Sequence, residues 1–399
     1  MNTPRKIYTK AVFLMTAAGY QFLSEESEFH EYSGPMSLAA APADYLDIND
    51  LKAVAAGGLI REDVADQIFD NSDIPTVFLD MIGSEGMEQA YTEWTEDKLP
   101  TPSITNAVVS GSDRTSGDND ASNSNGKRVG NHAQISTKEV FLTERQSQTT
   151  DLIGRNDEMG YQTARRLQDL RRDVEATTLT GQASVQDDNN ATAGKSAGAA
   201  AWLTTNKDLG AGGAVPGFQT GTKLVTVQSP GEGRGLTLTM IRTQVENVYN
   251  GGGNTNVLMS TPAVIKALNT YFTNPATSPI IARPTANVDG KGPGVSQTAQ
   301  MYFDAFKTDF GFFMTMVPNR LQQPYADAAG GAAQTVANVF GLDPRYWKLG
   351  LLYGWKVDVL AKIGLSNRKM LHVDWTLKCF LERANFLIAD INPATAVVT

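Results

Sequence analysis

The sequence predicts an α+β fold, because it combines one long helical segment with a carboxyl-terminal third made of strands. From Thr149 to Thr180 there is no proline, and apolar residues recur every three or four positions, as one face of a helix requires. Between 349 and 359, and again between 371 and 381, apolar residues alternate strictly with others, which indicates half-buried antiparallel strands. At 399 residues the chain is long enough for two or more domains.

The composition is that of a globular protein and argues against several functions. Hydrophobic residues make up 41% and charged residues 19%, which disfavours a disordered chain. A net charge of -9 argues against a protein whose main task is to bind phosphates. Cys379 is the single cysteine, so an internal disulfide framework is excluded. No apolar run approaches the roughly 20 residues that cross a bilayer, and no membrane partner is expected.

The amino-terminal segment is predicted to be an arm. Arg5, Lys6 and Lys10 precede the apolar run Ala11–Ala18, a pattern similar to a short secretory signal. The run is short for that role, and Gly19–Leu23 offers no small-residue cleavage site. We therefore expect an extended or partly helical arm that packs on a neighbouring subunit, and an exported protein is the alternative.

Between this arm and the first extended segment the pattern is helical and then apolar. Apolar positions from Leu51 to Phe69 predict a helix, which Gly57 and Gly58 weaken and Pro75 ends. Val77–Ile82 is a short buried run that ends at Gly83.

Residues 91–142 predict a long hairpin. Trp94 and Leu99 begin an extended segment, and the stretch from Ser110 to Gly126 consists almost wholly of small polar residues, Gly, Asp and Arg. Such a stretch cannot bury apolar surface and is expected to be a solvated tip. Extended character returns from Arg128 to Ile135 and at Val140–Leu142.

The long helix is predicted to lie across a surface, since only a narrow stripe of it is apolar. Gly181 is its stop signal. The arginine pairs Arg165–Arg166 and Arg171–Arg172 could contact nucleic acid. Asp169, Asp173 and Glu175 are interleaved with them, which favours salt bridges within the helix or between subunits.

After a Gly-, Asp- and Asn-rich stretch from 182 to 221, the pattern becomes globular. Ile241, Val245 and Val248 predict a helix that ends at Gly251–Gly253. Val257–Met259 predicts a strand, and Thr261–Pro262 begins another helix. On the strand that starts at Leu371, the predicted face opposite the apolar row carries His372, Asp374, Thr376, Lys378 and Glu382.

Residues that could perform chemistry are sparse. The three histidines, His30, His132 and His372, lie far apart in sequence and none has a second histidine at helical spacing, which disfavours zinc. No Gly-x-Ser-x-Gly elbow is present. A Ser-His-Asp triad needs no sequence proximity, so a hydrolase stays an alternative.

Two glycine-rich stretches fail as phosphate-binding loops. Gly194–Ser196 would need a glycine at position 189, where Asn189 stands, and a strand before it. The glycines from Gly210 to Gly217 lack a preceding strand and a following helix. The carboxylate pairs Glu25–Glu26 and Asp187–Asp188 lie in polar surroundings that would not raise a pKa. We therefore expect no catalytic, cofactor-binding or metal residues, no cofactor and no enzyme activity.

Several segments occur in the same order as in the SU10-type major capsid (major head) proteins of tailed bacteriophages, which the chain resembles from about Asp73 onward. These segments are Ile74–Gly83, Glu93–Leu99, Arg172–Glu175 near the end of the long helix, Trp202–Asn206 and the region Asp309–Ile391 with its Val317–Arg320 and Asp343–Pro344 motifs. No single motif is diagnostic, but their shared order is fairly specific.

The resemblance implies the HK97-type capsid fold. Its parts would be an N-terminal arm and approach segment at 1–90, an E-loop hairpin at 91–142, and a peripheral (P) domain at 143–234 whose spine helix spans about 149–181. An axial (A) domain would follow at 235–345, and the strands of 346–399 would return to the P domain. The polar hairpin tip and the 182–234 region depart from the family pattern, which leaves their local structure open.

The function that the resemblance implies is that of a major capsid protein. Copies would assemble into pentamers and hexamers of an icosahedral shell around double-stranded DNA, with weak non-specific DNA contact. Portal and scaffolding or decoration proteins would be further partners, and the protein would be found in the virion after assembly in the bacterial cytoplasm. An encapsulin-like compartment shell is the alternative that shares the fold.

Overall fold

The structure is a computed structural model in two compact units, 1–65 and 66–399. It describes residues 5–16, 19–32, 75–98, 126–148, 157–188, 191–273, 305–328, 334–362 and 364–395, with isolated positions between 102 and 111 and at 397–398.

In the first unit, strands β1 (Arg5–Thr16) and β2 (Gly19–Tyr32) form an antiparallel hairpin. The predicted arm is thus extended in these residues, and none of them is helical. In the register of these two strands, Lys6 lies opposite Glu31 and Lys10 lies opposite Glu28. The predicted helix at 51–69 and the linker before it lie outside the described residues.

The second unit contains the remaining described strands and helices. The strands are β3 (Ser84–Gly86), β4 (Tyr91–Glu96), β5 (Lys127–His132), β6 (Gln134–Thr143), β7 (Lys207–Asp208), β8 (Gly217–Gln219), β9 (Leu224–Thr226), β10 (Val257–Ser260), β11 (Ala305–Lys307), β12 (Phe313–Pro318), β13 (Tyr325–Ala326), β14 (Thr335–Leu342), β15 (Trp347–Val359), β16 (Ser366–Cys379) and β17 (Phe386–Ile391). The helices are α1 (Val77–Ile82), α2 (Glu144–Ser147), α3 (Glu158–Thr178), α4 (Ala199–Trp202), α5 (Leu238–Asn250) and α6 (Pro262–Thr273).

A four-stranded sheet in the order β3-β15-β16-β6 supports the long helix α3. The two alternating stretches of the sequence are its central pair, β15 and β16, which are antiparallel as predicted. β6 pairs with the outer edge of β16 over ten positions. One face of this sheet packs Val140, Leu371 and Val373 into the same core as Leu170 and Val174 of α3.

A seven-stranded sheet contains the path β11-β12-β10-β14-β17-β7, with β13 beside β14. The helices α5 and α6 pack on it through a second core that includes Ile241, Val264 and Leu268. β17, which lies within the predicted returning segment 346–399, pairs with β14 in this sheet. The carboxyl-terminal segment therefore contributes strands to both sheets.

Most elements predicted from periodicity are confirmed, and several bounds differ. α5, β10 and α6 lie where the sequence predicts them. The short apolar run at 77–82 is the helix α1. The far side of the predicted hairpin divides at Ala133, because β5 pairs with β4 whereas β6 pairs with β16.

The long helix α3 is shorter than predicted within the described residues. Asp157 caps its amino terminus, where the carboxylate accepts a hydrogen bond from the Met159 amide at 3.0 Å. The helix ends at Thr178, two residues before the predicted end. The first part of the predicted helix, 149–156, lies outside the described residues.

Replacing this cap tests how the helix start is fixed. Asp157→Ala removes the acceptor for an amide that has no partner within the helix, so we expect a loss of about 1 kcal/mol in the free energy of unfolding. Asp157→Ser retains a capping oxygen and is expected to recover most of that loss. Urea denaturation of the unassembled chain measures both, and equal losses for the two variants would contradict the capping role.

Candidate assembly site

The carboxyl-terminal half of α3 is built into the core, and its amino-terminal half is more open. Leu170, Val174 and Thr178 are buried, whereas residues 158–169 are half-buried or exposed. The burial results from the sheet beneath the helix, since Leu170 and Val174 share a core with residues of β6 and β16. The open half of the helix is available for contacts with other chains.

Glu175 joins α3 to two distant segments. Its carboxylate accepts hydrogen bonds from the amides of Phe78 and Leu79, both at 2.8 Å, and from Nδ2 of Asn319 at 2.7 Å. Phe78 and Leu79 are in the first turn of α1, where amides have no partner within the helix. Because the α1 cap residue Thr76 makes no side-chain capping bond, Glu175 caps α1 from another helix.

The burial of Glu175 has an electrostatic consequence. Burial raises the pKa of its carboxyl group, and the three hydrogen bonds oppose that shift. The prediction that Glu175 forms a salt bridge within the helix or between subunits is wrong, since the residue is fully buried and its hydrogen-bond donors are uncharged. The helical periodicity and the charge pattern predict that Glu175 lies outside the apolar stripe of α3, although its side chain is fully buried.

Two ion pairs within α3 confirm part of the predicted salt bridges, whereas Arg171 and Asp173 pair with other elements of the same chain, which the prediction did not include. Arg166 and Arg172 lie 3.2 and 3.8 Å from Asp169, each three residues away on the helix. Arg171 reaches Asp80 of α1. These pairs are exposed, so each stabilises the fold only slightly.

Aromatic contacts hold the base of the β4–β5 hairpin on the body of the second unit. The ring of Trp94 lies 5.2 Å from that of Trp202 and 5.9 Å from that of Phe380. Trp202 in turn stacks on Phe218. Two motifs that the sequence singled out, Glu93–Leu99 and Trp202–Asn206, are thus brought into contact.

Buried side-chain hydrogen bonds fix the segment after Trp202. The Glu382 carboxylate accepts from the amides of Thr204 and Thr205, both at 3.2 Å. Asn206 donates to the backbone carbonyls of Arg383 and Asn385. The prediction that Glu382 lies on an open strand face is wrong, since it opens a 3-10 turn and is mostly buried.

The strand face opposite the apolar row of β16 is also covered over part of its length, contrary to the prediction. Asp374, Thr376 and Lys378 are buried. The Thr376 hydroxyl donates to the carbonyl of His132 at 2.9 Å, and the Leu377 amide donates to the Ser196 hydroxyl at 3.0 Å. The 194–198 segment and β5 therefore form a second layer over this part of the sheet.

Candidate residues for chemistry are dispersed. The ring of His132 packs on Tyr91 at 4.6 Å, and His372 is half-buried 3.6 Å from Asp358. His30 is paired with Ile7 in the separate β1–β2 hairpin. Across the described ranges, no three His, Cys, Asp or Glu side chains are placed to hold a metal ion.

The glycine-rich stretches are structural in the described chain. Lys195 forms an antiparallel bridge with Val185, and the Asp188 carboxylate accepts hydrogen bonds from the amides of Ala191 and Thr192. The backbone amide of Gly210 donates a hydrogen bond to the Asp390 carboxylate at 2.9 Å.

Cys379 is fully buried on β16, and burial raises the pKa of its thiol.

The outer half of β15 exposes three apolar side chains, Tyr353, Val357 and Val359, and we name this stretch the distal patch. β3 pairs with β15 only at Leu349–Leu351. In the described structure the stretch 353–359 therefore has a strand on one side only. Free strand edges and exposed apolar side chains are typical of surfaces that other chains cover.

No helix of the described residues is long and apolar enough to span a membrane.

Comparison with solved structures assigns the fold. The capsid of a native GTA particle superposes with a TM-score of 0.51 at 10% sequence identity, over 85% of this chain and 98% of that one. A structure from Microbacterium phage Oxtober96 superposes with a TM-score of 0.50 at 15% identity, over 87% of this chain and 99% of that one. The fold is the HK97-type capsid fold that the resemblance implied.

The family model of the SU10 major capsid protein matches residues 46–392. The chain belongs to this family and is a major capsid protein of a tailed bacteriophage, located in the virion. No curated protein matches the chain significantly. The β1–β2 hairpin precedes the matched residues.

Proposed function

We propose that copies of this chain form pentamers and hexamers, and that these close an icosahedral shell around double-stranded DNA. The observation that carries the proposal is the distal patch, where apolar side chains and a free strand edge lie beside a well-packed core. Such a surface gains stability when a second copy covers it. Heterologous contacts close into rings when the rotation between neighbouring copies closes.

The division into parts that the family resemblance implies is retained as part of the proposal. It comprises an arm and approach segment at 1–90, an E-loop at 91–142, a P domain at 143–234 with the returning strands of 346–399, and an A domain at 235–345. Trp94 would anchor the E-loop to its own subunit through Trp202 and Phe380.

The remaining partners follow from the chemistry of a DNA container. A net charge of -9 limits adhesion to the packaged genome, because DNA affinity grows with the number of phosphate contacts. Contact with DNA would be weak and non-specific. Portal and scaffolding or decoration proteins would complete the particle, and assembly would occur in the bacterial cytoplasm. No catalytic role is proposed for any residue.

Electron microscopy of the purified full chain in negative stain tests the proposal. Closed polyhedral particles, or five- and six-membered rings, are expected. Discrete monomers at all concentrations would contradict it, and turnover of an ester substrate by such monomers would favour a hydrolase instead. Co-purification of enzymes inside closed particles that lack DNA would favour a compartment shell.

A charge within the distal patch is expected to block assembly. Val359 is 77% exposed, so Val359→Asp should change the free energy of unfolding by less than about 0.5 kcal/mol. The same aspartate would be buried without a partner wherever a second copy covers the patch. Loss of closed particles, measured by sedimentation velocity and negative-stain microscopy, is the expected result.

Val215→Asp is the matched control, since Val215 is a loop residue with an exposure of 60%. This variant introduces the same charge outside the distal patch and is expected to leave particles intact. If Val359→Asp assembles as well as the wild-type chain, the distal patch is not an assembly surface.

A further inference from the structure

The β1–β2 hairpin of the first unit has two strand edges, and no other described strand pairs with either of them. β1 spans 12 residues and β2 spans 14, so at about 3.4 Å per residue the ribbon is roughly 40 Å long. In an antiparallel pair, alternate residues direct both their N–H and their C=O groups away from the partner strand. Long unpaired edges of this kind accept a strand from another chain.

The two strands of this hairpin carry opposite charges. β1 contains Arg5, Lys6 and Lys10 and no acidic residue, whereas β2 contains four glutamates and no lysine or arginine. The four glutamates are Glu25, Glu26, Glu28 and Glu31. The register places Lys6 opposite Glu31 and Lys10 opposite Glu28. The charges of both strands therefore lie in the half of the ribbon that is farther from the turn.

The half of the hairpin nearer the turn is uncharged and mostly apolar. No residue from 11 to 23 is charged, and the register places Val12 opposite Leu23 and Phe13 opposite Phe22. A two-stranded ribbon leaves both of its faces open, so it cannot bury this stretch alone and is only marginally stable in water. Further strands at its edges would give the wider sheet that such a ribbon needs for stability.

Charge selects the strand that each edge accepts. Two β1 edges, or two β2 edges, would bring like charges together, which is destabilising between adjacent strands. A β1 edge beside the β2 edge of another copy brings lysine and arginine beside glutamate, which is favourable. Two different edges meet in this contact, so it is heterologous and generates a ring when the rotation closes. Rotation about an axis along the hairpins keeps their charged halves at one level and makes every strand antiparallel to both of its neighbours.

We propose that β1 of one copy pairs edge to edge with β2 of the next, so that the hairpins form one continuous antiparallel sheet around the axis of each ring. The inference rests on the proposed function, since it needs the pentamers and hexamers. The hairpin lies before the residues that the family model matches. Near its middle β2 has Ser24–Ser27 where β1 has only Ala11. This irregularity is the same in every copy, so it recurs at one level of the ring.

Hydrogen exchange of the full chain, followed by mass spectrometry, tests the edge pairing. Peptides that cover β1 and β2 are compared between the unassembled chain and particles. Edge pairing is expected to protect nearly all amides of both strands in particles, whereas pairing within the hairpin alone protects only about half of them. Particles in which about half of these amides still exchange freely would overturn the inference and leave the proposed function standing. A wild-type chain that forms no particles would overturn both.

An exchange of charge between the two strands tests which edges meet. The exchanged chain carries Arg5→Glu, Lys6→Glu and Lys10→Glu on β1, and each of the four glutamates of β2 becomes lysine. Its own edges are again complementary, so it should assemble alone as the wild-type chain does. In a mixture with the wild-type chain, like charges meet wherever the two kinds are neighbours. Native mass spectrometry should then find mixed rings on the order of tenfold rarer than random mixing gives.

The control exchanges an exposed ion pair outside the hairpin. Arg242 and Asp309 lie 2.7 Å apart, and both are more than half exposed. Arg242→Asp combined with Asp309→Arg keeps this pair with its ends exchanged, and the chain should form mixed rings with the wild-type chain in random proportion. Random mixing of the hairpin-exchanged chain with the wild-type chain, or its failure to assemble alone, would overturn the inference.

Discussion

Glu175→Ala is expected to lower the free energy of unfolding by about 3–5 kcal/mol, because three buried donors lose their acceptor at about 1–3 kcal/mol each. The variant leaves the amides of Phe78 and Leu79 and the side chain of Asn319 without their acceptor. All three donors are buried, and water cannot replace the carboxylate without opening the core. The approach segment and the 317–322 segment would both lose their attachment to α3.

Equilibrium urea unfolding of the unassembled chain measures this loss. The matched control is Asp173→Ala, two residues earlier on the same helix, which removes only the ion pair with Lys138. Because Asp173 is more than half exposed, its loss should be below about 1 kcal/mol. Similar losses for the two variants would mean that the Glu175 hydrogen bonds stabilise the fold no more than the exposed Asp173–Lys138 ion pair does.

Trp347→Ala is expected to cost about 3–5 kcal/mol, as for other buried aromatic truncations. Trp347 begins β15 and is fully buried, and its ring lies 6.0 Å from that of Phe78 in an edge-to-face arrangement. Its indole N–H donates to Oδ1 of Asn385 at 2.9 Å. Truncation leaves a cavity between α1 and β15 and removes one of the two donors to Asn385, the other being the Asp343 amide.

Trp347→Phe distinguishes the packing from the hydrogen bond. Phenylalanine refills most of the volume, and Asn385 still accepts from the Asp343 amide, so the loss should be about half that of the alanine variant. Thermal unfolding of both variants gives the ratio. Equal losses would show that the indole hydrogen bond, rather than the ring volume, dominates.

Periodicity in the sequence was sufficient to locate the long helix and the two long alternating strands, because each has apolar residues at the spacing of its own secondary structure. α5, α6 and the β15–β16 pair follow directly from it. Periodicity failed where a second layer covers a strand. The polar residues Asp374, Thr376 and Lys378 predicted an open face. Ser196 and the backbone of β5 instead cover part of that face and form hydrogen bonds with β16. Ser196 and Thr376 are 180 residues apart in the sequence, so no local sequence pattern predicts that one covers the other.

The order of motifs along the chain identified the family, but it did not reveal which motifs touch. Glu175 and Asn319 belong to two segments singled out separately, and 144 residues divide them. A glutamate beside the apolar stripe of a helix is ordinarily solvated, so its charge pattern suggested a salt bridge. Glu175 is buried because α1 packs against it with backbone amides that have no partner within α1. This packing depends on the tertiary fold and not on the local sequence.

Cys379 is the chain's single cysteine, and its complete burial has a practical consequence for chemical labelling. A buried thiol with a raised pKa reacts slowly with maleimides, so native particles should remain unmodified. One cysteine introduced at an exposed site would then be a unique attachment point, and every fluorophore or ligand on the particle would occupy the same position in each subunit.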